Sequence, residues 1–254
     1  MKVALCLFGQ PRHINNPYTW LSHKYHIIDK YKADVYCHAW INNEEKSFGY
    51  ADQVMEELKA KEDINADKKI LKKYNPKKHF FEKSLKFKLD DYLIPIIKQK
   101  EIEYTSRING SFNWSENNEN NHLSQLYSMS KSISLIDDKY AWVILTRYDV
   151  YIYNLPNLYQ LEPDNLYLDN QWINNFSDVL MIGGQKQIES LNCFDNVPDL
   201  CNKIWYFSAE EFKRAAFQSK FGGLKLDTFQ QGAEKRIFMG TGVVRTDSLK
   251  EIQY

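Results

Sequence analysis

The clearest chemical signal in the 254-residue sequence is a pair of charges that follows its most apolar run. Residues 142–145 read Trp-Val-Ile-Leu, and Thr146 is followed by Arg147, Tyr148 and Asp149. Such a run has to be buried, so we expect both charges at its exposed carboxyl end, on one side of an extended chain. Asp149 is a candidate ligand for Mn²⁺ or Mg²⁺, and Arg147 is a candidate contact for a diphosphate. The structural alternative is an Arg–Asp ion pair that closes the strand.

A glycine, an amide side chain and an arginine follow the first apolar run, residues 2–8. They stand in the order Gly9-Gln10-Pro11-Arg12. Glycine lets the backbone approach a ligand closely, and amides at the start of a following helix can bind phosphate oxygens. An arginine adds a bidentate phosphate contact. We therefore expect Gly9, Gln10 and Arg12 to bind a nucleotide diphosphate. The alternative is a simple strand-to-helix turn broken by proline.

His38 and Trp40 end the second apolar run, which spans residues 33–40. In sheets of α/β proteins ligands bind beyond the carboxyl ends of the strands, so these two rings could face a base or a sugar. A histidine beside an aromatic residue is also common in a core or at its rim, and tryptophan is common core filler. Both interpretations stay open at this stage.

Two carboxylates and a lysine extend the candidate site. Asp178 precedes an apolar run that ends in Gly183 and Gly184, two residues that would let the backbone approach a ligand. Asp178 is a candidate general base for an attacking hydroxyl, and Glu234, on a predicted helix, is a second candidate. Lys131 lies on another predicted helix and could turn toward a nucleotide. A helix cap or a solvent-exposed helix face would account for the same residues structurally.

Short apolar runs alternate with stretches of helical spacing along the chain. We predict strands at residues 2–8, 33–40, 79–81, 140–146, 165–169 and 178–182. We predict helices at 18–31, 50–60, 84–101 (kinked by Pro95) and 123–136, a polar loop at 104–121, and a mostly helical tail from 208. This alternation indicates an α/β fold in which a mostly parallel central sheet carries helices on both faces. We expect one domain over residues 1–254.

Charge and cysteine usage narrow the class of protein. Lysine plus arginine and aspartate plus glutamate number 33 each, and this balance argues against a nucleic-acid partner. The four cysteines lack metal-ligand spacing and two fall in apolar runs, which is typical of reduced, intracellular proteins. With no signal peptide and no run long enough to span a bilayer, we expect a soluble, cytoplasmic chain.

A basic run stands out from this balance between Lys68 and Lys88. It is a candidate for peripheral contact with an anionic membrane, which would hold the protein at the inner face of that membrane. A solvated helix face and loop is the alternative.

In five ordered motifs the chain resembles bacterial and viral polysaccharide glycosyltransferases of the WavE lipopolysaccharide-synthesis kind. The motifs are Gly-Gln-Pro-Arg at 9–12, Asp-Val-Tyr-Cys-His-Ala-Trp at 34–40, Ser-Met-Ser-Lys-Ser at 128–132, Thr-Arg-Tyr-Asp at 146–149 and Asp-Val-Leu-Met-Ile-Gly at 178–183. Each motif is short, and their order and spacing over the first three quarters of the chain give the resemblance its specificity.

The resemblance implies a GT-A fold and transfer of a sugar from a UDP-, GDP- or dTDP-linked donor to a glycan or glycolipid acceptor in surface polysaccharide synthesis. Residues 1–184 would form the nucleotide-sugar-binding core, and 185–254 a mainly helical acceptor-side part. Asp149 stands where the family has its metal-linked Asp-x-Asp motif. Arg147 replaces the first aspartate of that motif, so a cation of the protein would supply part of the role of Mn²⁺ or Mg²⁺.

Three other classes of protein compete with a glycosyltransferase. A nucleotide-dependent oxidoreductase would need Gly-x-Gly-x-x-Gly after the first strand, where this sequence offers Gly9 alone. A sugar nucleotidyltransferase would show a first loop richer in glycine and lysine. A catalytically inactive carbohydrate- or nucleotide-binding protein of the same fold stays open, because fold does not fix function.

Overall fold

A computed structural model describes residues 1–12, 14–15, 17–42, 47–48, 60–61, 64–108, 116–152, 154–168, 176, 179–221 and 243–245. The strands are β1 (Val3–Phe8), β2 (Asp34–Trp40), β3 (Ser47–Phe48), β4 (Ala60–Lys61), β5 (Lys78–Glu82), β6 (Trp142–Arg147), β7 (Val150–Ile152), β8 (Leu166–Leu168), β9 (Leu180–Gly183) and β10 (Val243–Arg245). The α-helices are α1 (Pro17–His23), α2 (Ala66–Tyr74), α3 (Ile94–Ile108), α4 (Glu116–Ser134), α5 (Gln185–Glu189), α6 (Val197–Leu200) and α7 (Ala209–Phe221). A π-helix (Lys24–Asp29) continues α1, and two 3₁₀ turns span Leu158–Gln160 and Phe194–Asn196.

Six strands form the central sheet, in the order β5-β2-β1-β6-β9-β8. The pairs β5–β2, β2–β1 and β1–β6 are parallel, whereas β9 runs antiparallel to both β6 and β8. The sheet is therefore mixed, with β9 reversed relative to its neighbours, and the expected α/β class with a mostly parallel sheet is confirmed. The short pairs β3–β4 and β7–β10 are antiparallel ribbons outside this sheet.

Alternate residues of each central strand enter two separate cores, as a strand with both faces covered requires. In β1, Val3, Leu5 and Leu7 pack beneath α1, the π-helix and α2. Ala4, Cys6 and Phe8 pack on the other face, beneath α3, α4 and the helices that follow β9. The predicted placement of helices on both faces is confirmed.

The predicted boundaries of two neighbouring segments were wrong. The predicted helix 84–101 has no regular secondary structure as far as residue 90, and α3 starts only at Ile94. Pro95 lies in the first turn of α3, where a missing N–H costs nothing, so it starts the helix rather than kinking it. The predicted loop 104–121 is wrong at both ends, because α3 continues to Ile108 and α4 begins at Glu116.

The remaining predictions fall partly on residues that the structure does not describe. Of the predicted helix 50–60, only Ala60 is described, and it belongs to β4. α7 confirms the first part of the predicted helical tail, and residues 222–242 lie outside the described residues. Val243–Arg245 departs from the prediction, because it forms β10 beside β7. Among the described residues no helix has both the length and the apolar character needed to cross a bilayer.

An ion network closes the amino-terminal edge of the sheet, opposite the strand ends discussed below. Tyr36 donates a hydrogen bond to Asp137 (2.7 Å), Tyr140 donates to Asp34 (2.6 Å), and Lys77 lies 3.4 Å from a carboxylate oxygen of Asp137. Lys78 and Lys2 pair with Asp137 and Asp138 respectively. Two lysines of the predicted basic run, Lys77 and Lys78, therefore belong to this network.

Candidate functional site

The parallel pairing of β1 and β6 brings the two strongest sequence motifs together. Phe8 and Arg147, the last residues of these strands, are partners in the register. The turn that starts at Gly9 and the segment that ends at Asp149 therefore leave the sheet side by side, at its carboxyl edge. This is the edge at which α/β sheets bind ligands.

Asp149 is the centre of a cluster that contains two arginines. Nε and one Nη of Arg147 donate to its two carboxylate oxygens at 2.9 and 2.6 Å, in a bidentate pair. A guanidinium nitrogen of Arg12 lies 3.9 Å from Oδ2 of the same carboxylate, and Nε of Arg12 donates to Oε1 of Gln10 at 2.9 Å. Asp149 is buried, whereas both arginines are half-buried. These three residues contribute two positive formal charges and one negative one.

The backbone of the turn is held by the protein's own acceptors. Gly9 has a φ of +98°, a left-handed conformation that favours glycine, and its N–H donates to Oγ of Ser128 at 2.7 Å. The N–H of Arg12 donates to the carbonyl of Gln10, and that of Ile14 to the carbonyl of Pro11. These three amides are therefore committed within the protein. A phosphate at this turn would therefore be bound by side chains rather than by these three amides.

A buried hydrogen-bond chain supports the turn from the side of β2. The imidazole of His38 lies between Ser128 and Glu82, with Nδ1 2.6 Å from the serine Oγ and Nε2 3.0 Å from the glutamate Oε1. Burial lowers the pKa of His38, with the nearby Lys131 adding to this and Glu82 opposing it. A neutral imidazole that donates from Nε2 to Glu82 can accept the Ser128 hydroxyl proton at Nδ1. Ser128 then keeps a lone pair for the N–H of Gly9.

His38 and Trp40 are thus part of the scaffold in this arrangement. His38 is fully buried, and Trp40 is 2% exposed because the ring of Tyr127 stacks on it, with centroids 5.4 Å apart and planes 18° from parallel. Neither ring can reach a ligand from where it lies, so the expected direct contact with a base or sugar is not supported.

A further ring at this position is that of Tyr127, which stacks on Trp40. It is half-buried and is flanked by Phe87 at 5.0 Å and Phe194 at 5.1 Å between centroids. Lys131 holds its ammonium 5.0 Å from the centre of the same ring. Burial, then Glu82 and Asp195, raises the pKa of Tyr127 to about 12, so its hydroxyl stays protonated at neutral pH. Lys131 thus lies against Tyr127, and its approach to a nucleotide stays a prediction.

Among the described residues, this edge of the sheet offers Asp149 as the expected carboxylate ligand for a divalent cation. No group of three histidine, cysteine, aspartate or glutamate side chains that could hold a metal occurs among the described residues. Asp149, the expected ligand of Mn²⁺ or Mg²⁺, has both oxygens engaged by Arg147. The described residues therefore do not fit a metal centre, and the arginines carry the positive charge at this position.

The candidate carboxylates Asp178 and Glu234 lie outside the described residues. The residue after Asp178, Val179, is described, and its carbonyl accepts a hydrogen bond from the Thr146 hydroxyl at 2.7 Å. Leu180, the first residue of β9, pairs with Thr146. Because β9 is antiparallel, its beginning lies at the carboxyl edge of β6.

For the same reason, Gly183 and Gly184 lie at the opposite edge of the sheet from Arg147. A Cβ at Gly184 would stand 2.5 Å from the carbonyl oxygen of Pro163, and one at Gly183 would stand 3.1 Å from Cβ of Gln187. These glycines permit close packing of the chain around β8. The expectation that they admit a ligand was wrong.

Sequence reasoning missed two members of the site. Glu82 directly follows the predicted strand 79–81, so the strand-end rule could have found it. Tyr127 carries no such signal, because an aromatic residue on an amphipathic helix is usually a core residue. Ser128 was noted only as the start of a motif. Comparisons with protein-family models and with curated proteins give no match for this chain, so its function is inferred from its own residues.

Proposed function

We propose that the protein is a glycosyltransferase that moves a sugar from a nucleotide-diphosphate donor to a glycan or glycolipid acceptor. The observation that carries this proposal is the convergence of Arg12 and Arg147 on one buried carboxylate, Asp149, at the carboxyl edge of the sheet. Guanidinium groups bind phosphate oxygens in a bidentate manner. Two of them, held by a shared carboxylate, are arranged to receive a diphosphate.

The chemistry follows from where charge develops. As the bond from the sugar to the donor breaks, negative charge grows on the leaving diphosphate. Fixed cationic donors stabilise that charge without having to reorganise. Asp149 orients Arg147 through two of its five N–H donors, and the Gly9 turn, held by Ser128, fixes the chain that leads to Arg12. Asp178 and Glu234 are the proposed candidates for the base that accepts the proton of the attacking hydroxyl.

Tyr127 and Lys131 suit the organic part of such a donor. A half-exposed aromatic ring can stack on a base or on the apolar face of a sugar, and an ammonium above it can donate to hydroxyl or carbonyl oxygens. In the proposed complex these two residues bind the base or sugar and the arginines bind the diphosphate. The mixed sheet with helices on both faces is compatible with the proposed GT-A fold.

The deciding experiment is a binding and turnover screen. The melting temperature of the full chain is measured with UDP-, GDP- and dTDP-sugars, each with Mn²⁺ and with EDTA, and slow donor hydrolysis is followed in parallel. A ligand that binds only the folded protein raises its melting temperature. We expect one donor class to raise it. We also expect Arg12→Ala to abolish the shift, whereas Arg107→Ala, an exposed arginine on α3, keeps it.

Each outcome of the screen has a defined meaning. The absence of a shift with any nucleotide would refute the transferase proposal. A shift without donor hydrolysis would favour a binding protein that has lost turnover. Formation of a nucleotide sugar from a sugar phosphate and a nucleoside triphosphate would favour a nucleotidyltransferase. A shift that survives EDTA would show that the arginines hold the diphosphate without Mn²⁺ or Mg²⁺.

A further inference from the structure

Helices α1 and α2 lie side by side on one face of the sheet. Trp20 of α1 packs edge-on against Tyr74 of α2, with ring centroids 4.8 Å apart, and Nδ1 of His23 lies 3.0 Å from the same tyrosine hydroxyl. Ile70 and Tyr74 of α2 join Ile27, in the π-helix that continues α1, in the core beneath them. Because both helices turn their buried sides toward the same sheet face, their outward sides point in the same direction.

The outward side carries large apolar and aromatic groups. On α1 and its continuation, Tyr25 is 73% exposed, and Tyr18 and Leu21 are 51% exposed each. These residues follow the three-to-four spacing of one helix face. On α2, Leu71 is exposed between Lys68 and Lys72, and Ile64 is exposed just before the helix. We refer to Tyr18, Leu21, Tyr25, Lys68, Leu71 and Lys72 as the lysine–tyrosine face.

Charge is concentrated in the same two segments. Residues 17–32 and 64–75 contain seven lysines and two aspartates, although the formal net charge of the whole chain is zero. Lys77 and Lys78, which follow α2, are paired with Asp137 in the amino-edge network and do not add to this surface. The basic run predicted from the sequence is thus divided by the fold, and its α2 part shares a surface with exposed tyrosines.

We propose that the lysine–tyrosine face docks on an anionic lipid bilayer. Interfacial helices combine lysines, whose ammonium groups reach lipid phosphates, with aromatic and leucine side chains that enter the boundary between headgroups and acyl chains. Juxtamembrane lysines are attracted by the negative potential of anionic lipids. An acidic protein is the competing occupant of this face, and it would predict no binding to the vesicles used in the test below.

Docking through this face would hold the candidate site next to the lipid. The ammonium of Lys73 in α2 donates to the carbonyl of Ile14, which belongs to the segment that carries Arg12, and α1 starts at Pro17. A lipid-linked acceptor could then reach the site from the membrane. This consequence rests on the proposed transferase function, whereas the docking itself does not.

The test is flotation of the full chain with vesicles of pure phosphatidylcholine and with vesicles in which about one lipid in three is phosphatidylglycerol. We expect binding to the anionic vesicles alone, weakened by salt because exposed charges are screened. Lys68→Glu with Lys72→Glu should reduce binding at least about tenfold, as expected for two lysines near the lipid surface. Leu21→Ser with Tyr25→Ser should reduce it while leaving the charge unchanged.

A matched control distinguishes a loss of binding that is specific to this face from a loss caused by the change in net charge. Lys186→Glu with Lys220→Glu makes the same charge change on α5 and α7, which cover the opposite face of the sheet. Far-ultraviolet circular dichroism checks that every variant is folded. Absence of vesicle binding, equal binding to neutral vesicles, or equal loss in the control would overturn the proposal. Donor binding in the same variants should stay unchanged, so failure of docking is distinguishable from failure of the transferase proposal.

Discussion

A guanidinium nitrogen of Arg12 lies 3.9 Å from Oδ2 of Asp149, so the turn after β1 and the segment after β6 meet at one carboxylate. Arg147 occupies both oxygens of the same carboxylate. The aspartate therefore orients one arginine directly and attracts the other. This arrangement explains how one acidic and two basic residues could together form an anion site.

The first prediction concerns this carboxylate. Asp149→Asn should weaken donor binding at least about tenfold, because Arg147 loses one of its two charge-assisted bonds and its fixed orientation. It should also lower the free energy of unfolding by about 1–3 kcal/mol, since Arg147 is half-buried and would lose its charged partner. Isothermal titration with the donor identified by the screen, and urea unfolding, measure the two effects.

A double-mutant cycle on Asp149 and Arg147 tests whether the aspartate affects donor binding through Arg147 or directly. If the aspartate acts through Arg147, Asp149→Asn should change donor binding little in an Arg147→Ala background. Additive losses would instead mean that Asp149 contacts the donor or its cation itself. Unchanged binding in the single variant would mean that the ion pair only closes the strand.

The second prediction uses two glycines at opposite edges of the sheet. Gly9→Ala should cost about 1–2 kcal/mol of stability, because φ at Gly9 is +98° and an L-residue is strained there. A Cβ added at Gly9 would meet no other described atom within 4 Å, so the variant should fold, and its displaced turn should weaken donor binding. Gly184→Ala should lose about 1–3 kcal/mol through overpacking against Pro163.

Donor affinity then distinguishes the two variants. Gly184 lies away from Arg12 and Arg147, so Gly184→Ala should keep the donor affinity of the wild type at temperatures where it is folded. Equal affinity losses in both variants, measured by titration calorimetry, would show that binding follows overall stability rather than the Gly9 turn.

The third prediction concerns Ser128, which joins His38 to the Gly9 turn. Ser128→Ala removes the acceptor of the Gly9 N–H and the donor to Nδ1 of His38, and should cost about 1–3 kcal/mol. The amide proton of Gly9 should exchange faster with solvent and shift in a nitrogen–proton correlation spectrum. Ser124→Ala, one turn earlier on α4, provides the control. An unchanged Gly9 amide in Ser128→Ala would contradict this role.

The strand ends at the site were predictable because buried strands appear in the sequence as short apolar runs. β1, β2 and β6 are apolar runs bounded by glycine, proline or charges, and each was predicted to within about two residues of its observed bounds. Charged and small residues just beyond such runs must lie near the sheet edge. The grouping of Arg12 with Asp149 also required the strand order, since β1 and β6 are neighbours only because their connection crosses over.

The start of α4 was not predictable because its first turns are polar. Residues 116–121 lack hydrophobic periodicity and read as a loop. In the fold, Asn120 accepts the N–H of Phe87 at 2.8 Å and Glu119 accepts that of Leu89. Asn120 and Glu119, whose polarity made residues 116–121 look like a loop, thus form tertiary hydrogen bonds to the irregular segment before α3.

The structural role of His38 could not be predicted from the sequence either, because it depends on contacts between distant residues. The sequence shows a histidine at a strand end, and only the fold reveals that Glu82 and Ser128 bond both of its ring nitrogens. Buried polar groups need such partners, so a histidine of this kind serves structure first. His23 is also fully buried, with Nδ1 3.0 Å from the hydroxyl of Tyr74, and its burial yields a measurable dependence on pH.

The fourth prediction is that protonation of His23 destabilises the protein in mild acid. Burial lowers the pKa of His23 from 6.5 to about 4. A base whose pKa is lower in the folded state binds fewer protons there than when unfolded, so its contribution to stability is complete above pH 6.5 and is lost as the pH falls toward 4. The loss over this window should be about 3 kcal/mol.

Urea unfolding at about pH 7.5, 5.5 and 4.5 measures this loss of stability. His23→Gln should flatten the dependence of stability on pH. His79→Gln changes an exposed histidine on β5 and should not flatten it. A wild-type curve that is level across this range would contradict the prediction, and equal slopes in the two variants would assign the acid sensitivity to other groups.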